Sequence, residues 1–156
     1  MNIKPIKTRY KGYMFRSRTE ARWAVAFDSI GLQWRYEVEG YNIPKVGPYL
    51  IDFYLPKQPR LRIATYVEIK GELPTEVELE KAHGLSDLLG APVLMLCDMP
   101  GDQHWFLYYD KYFFSSTKNY SRESWWSFIG MKTSKKQIAL AYEAARSARF
   151  EHGQQP

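Results

Sequence analysis

Two segments with helix-start and helix-stop signals bracket three segments that alternate like β-strands, and this order constrains the fold most. A helix is predicted from about 18 to 30, because Ser17 is a good N-cap and a glycine follows the segment. A second helix is predicted between a cap at Thr75 and a stop at Gly90. The chain between the two helices is rich in β-branched and aromatic residues, which favour strands.

Four strands are predicted: LQWRYEVEGY from 32, YLIDFYLP from 49, TYVEIKG from 65 and the apolar APVLMLCD from 91. The first three can pair as an antiparallel meander, and the second helix can cross over to place the fourth strand beside them. We therefore expect an α/β fold with a mixed central β-sheet flanked by helices, in the order α-β-β-β-α-β. The C-terminal additions are a strand or hairpin over 101–114, a helix over 138–150 and a tail over 151–156.

Composition narrows the class of protein. A chain of 156 residues fits one domain. The 22 basic and 17 acidic residues give a net charge of +5, which favours a polyanionic partner such as nucleic acid. The single cysteine, Cys97, excludes an internal disulfide and a cysteine-rich zinc site. No segment has the pattern of a signal peptide or a membrane span, so a soluble cytoplasmic protein is expected.

Two predicted strands carry charged residues within apolar runs. In TYVEIKG, the period-two alternation places Glu68 and Lys70 together on one face. In YLIDFYLP, the same alternation isolates Asp52 on one face and places Ile51 and Phe53 on the other. Burying a lone carboxylate costs several kcal/mol unless a cation or a metal ion is paired with it. Asp52 therefore indicates a binding site.

The spacing of these residues suits phosphodiester hydrolysis. Asp52 and Glu68 are 16 positions apart (68 − 52), so a loop at 57–62 lets them converge on adjacent strands. Carboxylates bind Mg²⁺, a hard cation that prefers oxygen ligands and leaves positions open for water and phosphate. A nearby lysine, here Lys70, can orient the water or neutralise the charge that develops on the phosphate.

The same residues resemble the PD-(D/E)xK nuclease superfamily. The resemblance rests on Asp52 in YLIDFYLP and on Glu68 and Lys70 in VEIKG, behind a helix that begins FRSRTEARW. It covers about 15–97, leaves about 98–156 as an extension, and is greatest to small phage-borne and TnsA-like transposon endonucleases. It implies a restriction-endonuclease-like core. One departure is that isoleucine, not proline, precedes Asp52.

The resemblance also implies a role for each residue. Asp52 and Glu68 would bind Mg²⁺, or Mn²⁺ in its place, together with the backbone carbonyl of Ile69. Lys70 would be the catalytic lysine, and Glu20 the helix-borne acid that many members add to the metal site. The second helix often adds a polar residue that faces the site. Lys81 is preferred for this role over Glu80 and His83.

Several acids also have simpler interpretations. Glu20 can serve only as the capping-box partner of Ser17, although it heads a core-facing stripe of its helix. Glu37 and Glu39 share a strand face and are interpreted as solvated edge charges. The acids Glu76, Glu78 and Glu80 lie in the first turns of a helix, where the helix dipole favours negative charge.

Aromatic and basic clusters have open interpretations. The aromatic residues of WFLYYDKYFF and SWWSF are interpreted as core or interface residues, with stacking on unpaired bases as the alternative. Basic residues near the first helix are expected to contact phosphates without reading sequence. These are Arg9, Lys11, Arg16 and Arg18, with Lys81 on the second helix; a further basic cluster is Lys132, Lys135 and Lys136.

The expected function is that of a Mg²⁺-dependent DNA endonuclease. The resemblance implies products with 5′-phosphate and 3′-hydroxyl ends and a setting in phage or mobile-element DNA processing. One alternative is a non-catalytic module on a nuclease fold that binds nucleic acid or a partner protein. Another is a structural protein with an aromatic interface. A homodimer and a partner subunit both remain open.

Overall fold

The computed structural model describes residues 4–37, 39–118 and 120–150, and the predicted tail at 151–156 lies outside them. The described strands are β1 (Thr8–Tyr10), β2 (Tyr13–Phe15), β3 (Arg35–Tyr36), β4 (Gly40–Ile43), β5 (Gly47–Leu50), β6 (Phe53–Leu55), β7 (Thr65–Lys70), β8 (Val93–Cys97), β9 (His104–Tyr109) and β10 (Tyr112–Ser115). The described helices are α1 (Arg18–Ile30), α2 (Glu76–Leu89), α3 (Trp125–Phe128) and α4 (Lys135–Ser147). No helix in these ranges is long and apolar enough to cross a membrane.

A mixed six-stranded sheet organises the protein, in the order β10-β9-β8-β7-β6-β3. Strands β7 and β8 are parallel and every other neighbouring pair is antiparallel. The meander β3-β6-β7 and the crossover through α2 to β8 confirm the predicted order. The protein is therefore of mixed α/β class, with helices packed on the central sheet.

Alternation along β7 and β8 separates two hydrophobic cores. Val67 and Ile69 pack with α1 and α4 in the larger core. Val93 and Met95 pack with α2 in the smaller one. Glu68 and Lys70 point away from the larger core, as the period-two pattern predicts.

The two helices predicted from their caps are confirmed. The Oγ of Ser17 accepts a 3.1 Å hydrogen bond from the N–H of Glu20, and α1 ends at Gly31 with φ at 89°. In α2, Thr75 and Glu78 form a complete capping box. The C-terminal helix α4 begins at Lys135, three residues earlier than predicted, because Ser134 and Gln137 form a capping box that the sequence analysis missed.

The predicted strands over 32–41 and 49–56 are wrong as continuous strands. Each is divided between two sheets, because β4 and β5 pair only with each other while β3 and β6 join the central sheet. The chain bends between β5 and β6, at Ile51 and Asp52. This bend separates two residues that were predicted to share one face of the strand. Ile51 packs in the smaller core, whereas Phe53 packs in the larger one.

The N-terminal hairpin β1–β2 is attached to α1 through one carboxylate. Asp28 accepts hydrogen bonds from the hydroxyl of Tyr10 at 2.5 Å and from Nε1 of Trp34 at 2.9 Å. It also pairs with Nζ of Lys11 at 2.9 Å. Phe15 closes the junction, since its ring lies 4.5 Å from that of Tyr36. The hairpin is thereby held beside β3 and β6.

The aromatic C-terminal part of the chain contributes mainly to the core. Trp105 and Trp125 are fully buried, which confirms the core interpretation for these two residues. Tyr112 and Phe113 on the edge strand β10 are exposed, at 53% and 36%.

Candidate metal centre

Asp52 lies at the bend where the chain passes from β5 to β6. It is only 5% exposed. Its Oδ2 accepts a 2.7 Å hydrogen bond from the backbone N–H of Ile69 in β7. Its backbone carbonyl accepts a 2.9 Å hydrogen bond from the N–H of Glu37. The bend therefore directs a buried carboxylate towards the ends of two neighbouring strands.

Strand register places three acids in a row. Tyr36 pairs with Phe53, so one step further along β3 brings Glu37 opposite Asp52. Phe53 pairs with Val67, so one step further along β7 brings Glu68 opposite Asp52 on its other side. The row Glu37–Asp52–Glu68 therefore runs across β3, β6 and β7 in the part of the sheet that adjoins α1.

Glu20 extends this row from the first turn of α1. It is 7% exposed, and carboxylate oxygens of Glu20, Glu37 and Asp52 all lie within 4.8 Å of one another. Its Oε2 accepts a 2.5 Å hydrogen bond from the hydroxyl of Tyr36, and its Oε1 accepts one of 3.1 Å from the hydroxyl of Ser17. Glu20 thus contributes to the helix cap and to the acid cluster. Glu68 is not part of this group of three, but its charge acts on Asp52. We call Glu20, Glu37, Asp52 and Glu68 the acid cluster.

The interpretation of Glu37 as a solvated edge charge is wrong. Its side chain is 25% exposed and forms an ion pair with Arg16, and its carboxylate belongs to the acid cluster. Its backbone has φ at 46°, a left-handed conformation that residues other than glycine rarely adopt. The register of β3 with β6 could have identified Glu37, but the inserted hairpin β4–β5 hides that register in the sequence. Glu39 is exposed, as predicted.

Burial, together with repulsion between like charges, raises the pKa values of three acids of the cluster. Burial, followed by the charges of Glu68 and Glu20, raises the pKa of Asp52 well above its usual value. Burial raises the pKa of Glu68 to about 7, against the opposing effects of Lys70 and of a hydrogen bond from Tyr49. Burial also raises the pKa of Glu20. The cluster therefore carries more negative charge than its surroundings stabilise.

One carboxylate oxygen of Glu68 is unsatisfied within the described part of the chain. Its Oε2 is buried and forms no hydrogen bond with any residue in the described ranges. Such oxygens are rare in folded proteins, because an unsatisfied buried polar group costs about 1–3 kcal/mol. A cation bound at the cluster would satisfy it.

Lys70 lies on the same face of β7 as Glu68, as predicted. The positive charge of Lys70 acts to lower the pKa of Glu68. Its Nζ forms an ion pair with Glu78 in the first turn of α2. The helix-dipole interpretation of Glu78 is therefore incomplete, since this residue also holds the lysine.

The predicted basic residues are not all at the cluster. Arg16 pairs with Glu37, whereas Arg9 lies on β1 and Lys11, at the tip of the β1–β2 hairpin, pairs with Asp28 near the end of α1. Arg18 opens α1, two residues before Glu20. Lys81 is on α2, and within 4–37, 39–118 and 120–150 no ion pair joins it to an acid of the cluster. His83 stacks on Tyr108, on the side of α2 that faces β9.

In comparisons with protein-family models, curated proteins and solved structures, nothing matches this chain. A largely buried, all-oxygen, negatively charged cluster suits a hard divalent cation such as Mg²⁺ or Mn²⁺ rather than a soft metal.

Proposed function

We propose that this protein is a Mg²⁺-dependent DNA endonuclease with a restriction-endonuclease-like core. The observation that supports the proposal best is the row Glu37–Asp52–Glu68, with Glu20 above it and Lys70 beside it. Ion pairing alone does not explain it, because burial raises the pKa of Asp52, Glu68 and Glu20 even though Arg16 and Lys70 lie beside them. Their convergence on one part of the sheet fits a site that accepts a cation during function.

The donor set fits Mg²⁺. Asp52, Glu68 and Glu20 supply carboxylate oxygens, as the nuclease resemblance implies, and Glu37 adds a fourth acid. The Ile69 carbonyl is also well placed, because the N–H and C=O of one strand residue point to the same side. The N–H of Ile69 points at Asp52. The unsatisfied Oε2 of Glu68 would give a bound Mg²⁺ one more oxygen ligand.

Lys70 has the position that the resemblance assigns to the catalytic lysine. A bound Mg²⁺ would supply Lewis-acid polarisation of the attacking water and of the phosphodiester. Lys70 would orient that water and neutralise charge on the phosphate as the bond to the 3′ oxygen breaks, leaving 5′-phosphate and 3′-hydroxyl ends. Glu78 holds the ammonium group of Lys70 in an ion pair, and the substrate phosphate would take the place of Glu78.

A cleavage panel with Mg²⁺ or Mn²⁺ tests the proposal. The substrates are supercoiled plasmid, linear duplex, single strand, flap and four-way junction. The variants are Asp52→Asn and Lys70→Ala, with Lys57→Ala as a control on the exposed β6–β7 loop. We expect cleavage that both site variants lose by at least about a hundredfold and that the control retains.

A parallel measurement separates metal binding from catalysis. Asp52→Asn should lose Mn²⁺ binding in calorimetry, whereas Lys70→Ala should bind Mn²⁺ and fail to cut. DNA binding without cleavage of any substrate, unchanged in both site variants, would instead support a non-catalytic binding module. We also propose a role in phage or mobile-element DNA processing, which the preferred substrate would test.

A further inference from the structure

The N-terminal segment is strongly polarised in charge. Residues 4–18 contain six cations and no acid, and Arg16 near their C-terminal end pairs with Glu37 of the acid cluster. The cations are Lys4, Lys7, Arg9, Lys11, Arg16 and Arg18. Such a segment attracts a polyanion along its whole length.

The hairpin β1–β2 has an inner and an outer face. Thr8, Tyr10 and Phe15 are buried on the inner face. Arg9 and Met14 are directly opposite each other on the outer face, and Met14 is 48% exposed. Within the part of the chain that the structure describes, Arg9 makes neither a hydrogen bond nor an ion pair. The outer face thus presents an uncommitted guanidinium beside an exposed apolar side chain.

The hairpin is presented rigidly. Asp28 holds Tyr10 and Lys11, and Phe15 packs 5.9 Å from the ring of Phe53 in the central sheet. A ligand that docks on the outer face therefore has little backbone to order, which favours binding.

The hairpin is also tied to the acid cluster. Arg16, the residue after β2, pairs with Glu37, and its N–H donates a 3.3 Å hydrogen bond to the hydroxyl of Tyr36, which in turn donates to Glu20. Strand β2 spans Tyr13–Phe15, because Lys11 and Gly12 form the turn, so its length is about 10 Å. This length matches about three base pairs of duplex, at ~3.4 Å per pair.

We propose that the outer face of the β1–β2 hairpin is a docking surface for duplex nucleic acid. A two-stranded β-ribbon fits the major groove, where Arg9 would contact phosphate or a base edge and Met14 would pack against the groove. Platforms for single strands instead stack bases on aromatic rings. Arg9 and Met14 are not aromatic, and the ring of Tyr13 already packs 5.2 Å from that of Trp34. The inference rests on the proposed nuclease function, because it specifies duplex as the substrate class of that site.

Fluorescence anisotropy in EDTA tests the surface without catalysis. The probes are a duplex of about two helical turns (~20 base pairs) and its single strand. The variants are Arg9→Ala, Arg9→Glu and Met14→Glu, each checked for folding by circular dichroism. The matched control is Lys111→Glu, an exposed lysine in the β9–β10 turn at the opposite edge of the sheet.

We expect wild type to prefer the duplex. Arg9→Glu should weaken duplex binding by about tenfold or more, and Arg9→Ala should lower the slope of log affinity against log salt by about one. Lys111→Glu should change affinity by less than about twofold. Equal loss in the control, unchanged binding in all hairpin variants, or preferred binding to the single strand would overturn the inference. Tighter binding to phosphatidylserine vesicles than to duplex, lost in the same variants, would assign the surface to a membrane and also overturn it.

The two proposals fail separately. If wild type cuts no substrate but binds duplex in a way that Arg9→Glu weakens, the hairpin surface stands and the nuclease function falls. If cleavage is metal-dependent but insensitive to Arg9, the nuclease function stands and the hairpin surface falls.

Discussion

The backbone N–H of Ile69 donates a 2.7 Å hydrogen bond to Oδ2 of Asp52, across the gap between β7 and the bend before β6. A single N–H does not offset the burial of this carboxylate beside Glu68 and Glu20, so the pKa of Asp52 stays well above its usual value. The site is held at a cost to stability in the absence of a cation, as is common at functional sites.

Asp52→Asn should stabilise the protein in EDTA at pH 8, because it removes a buried negative charge while its side-chain oxygen can still accept from Ile69. We expect the free energy of unfolding to rise by about 1–2 kcal/mol and the melting temperature by roughly 2–8 °C. The same variant should lose the increase in melting temperature that Mn²⁺ or Mg²⁺ gives wild type. Calorimetry with and without metal measures both effects. A less stable variant with a full metal response would show that Asp52 is structural.

Stability without metal should fall as pH rises from about 5 to about 8. The pKa of Glu68 is about 7 in the folded protein, against a usual value near 4.5, so the folded state binds more protons than the unfolded state in this range. The stability that comes from this protonation is complete below the usual value and is lost as pH rises through about 7. Its upper limit is about 3 kcal/mol, from 1.36 kcal/mol for each pKa unit.

Urea unfolding in EDTA across this pH range measures the effect. Glu68→Gln should flatten the profile, and saturating Mg²⁺ should flatten that of wild type at its alkaline end. A wild-type profile with the same slope as that of Glu68→Gln would contradict the prediction.

Glu37→Gln should weaken Mn²⁺ binding by about tenfold, because the carboxylate of Glu37 lies within 4.8 Å of those of Glu20 and Asp52. Glu39→Gln is the matched control, since Glu39 is two residues away, exposed, and at 3.4 Å from the hydroxyl of Tyr41. Titration calorimetry gives the two affinities. Equal effects in both variants would show that Glu37 is a surface charge and not a metal ligand.

Gly84→Ala should destabilise the protein although alanine is the better helix former by about 1 kcal/mol. A Cβ at Gly84 would lie 2.7 Å from Cγ2 of Ile43, so the hairpin β4–β5 would have to move from α2. That hairpin carries Tyr49, which forms a hydrogen bond with Glu68, and we expect weaker metal binding as well. In an Ile43→Ala background the same change should stabilise the helix. Chemical unfolding of the four proteins of this cycle tests the contact, and additive effects would contradict it.

Local signals in the sequence were sufficient for the elements that depend on neighbouring residues. Ser17 and Thr75 begin α1 and α2, because capping depends on groups within three positions. The side chains of Glu68 and Lys70 share a face of β7, because alternation is a property of any extended backbone. The meander and crossover followed from connection rules, so the mixed α/β class and the neighbourhood of Asp52 and Glu68 were predictable.

Tertiary pairing decided what depends on distant residues. The sequence of YLIDFYLP does not show that β5 leaves the central sheet, because the bend at Asp52 arises from the pairing of β5 with β4. Glu37 joins the site only through the register of β3 with β6, and Lys70 meets Glu78 only when α2 packs on the sheet. The sequence by itself therefore determined which acids and bases are present and which strand faces they occupy. The three-dimensional fold decided which of them meet, because register and burial depend on residues far apart in the chain.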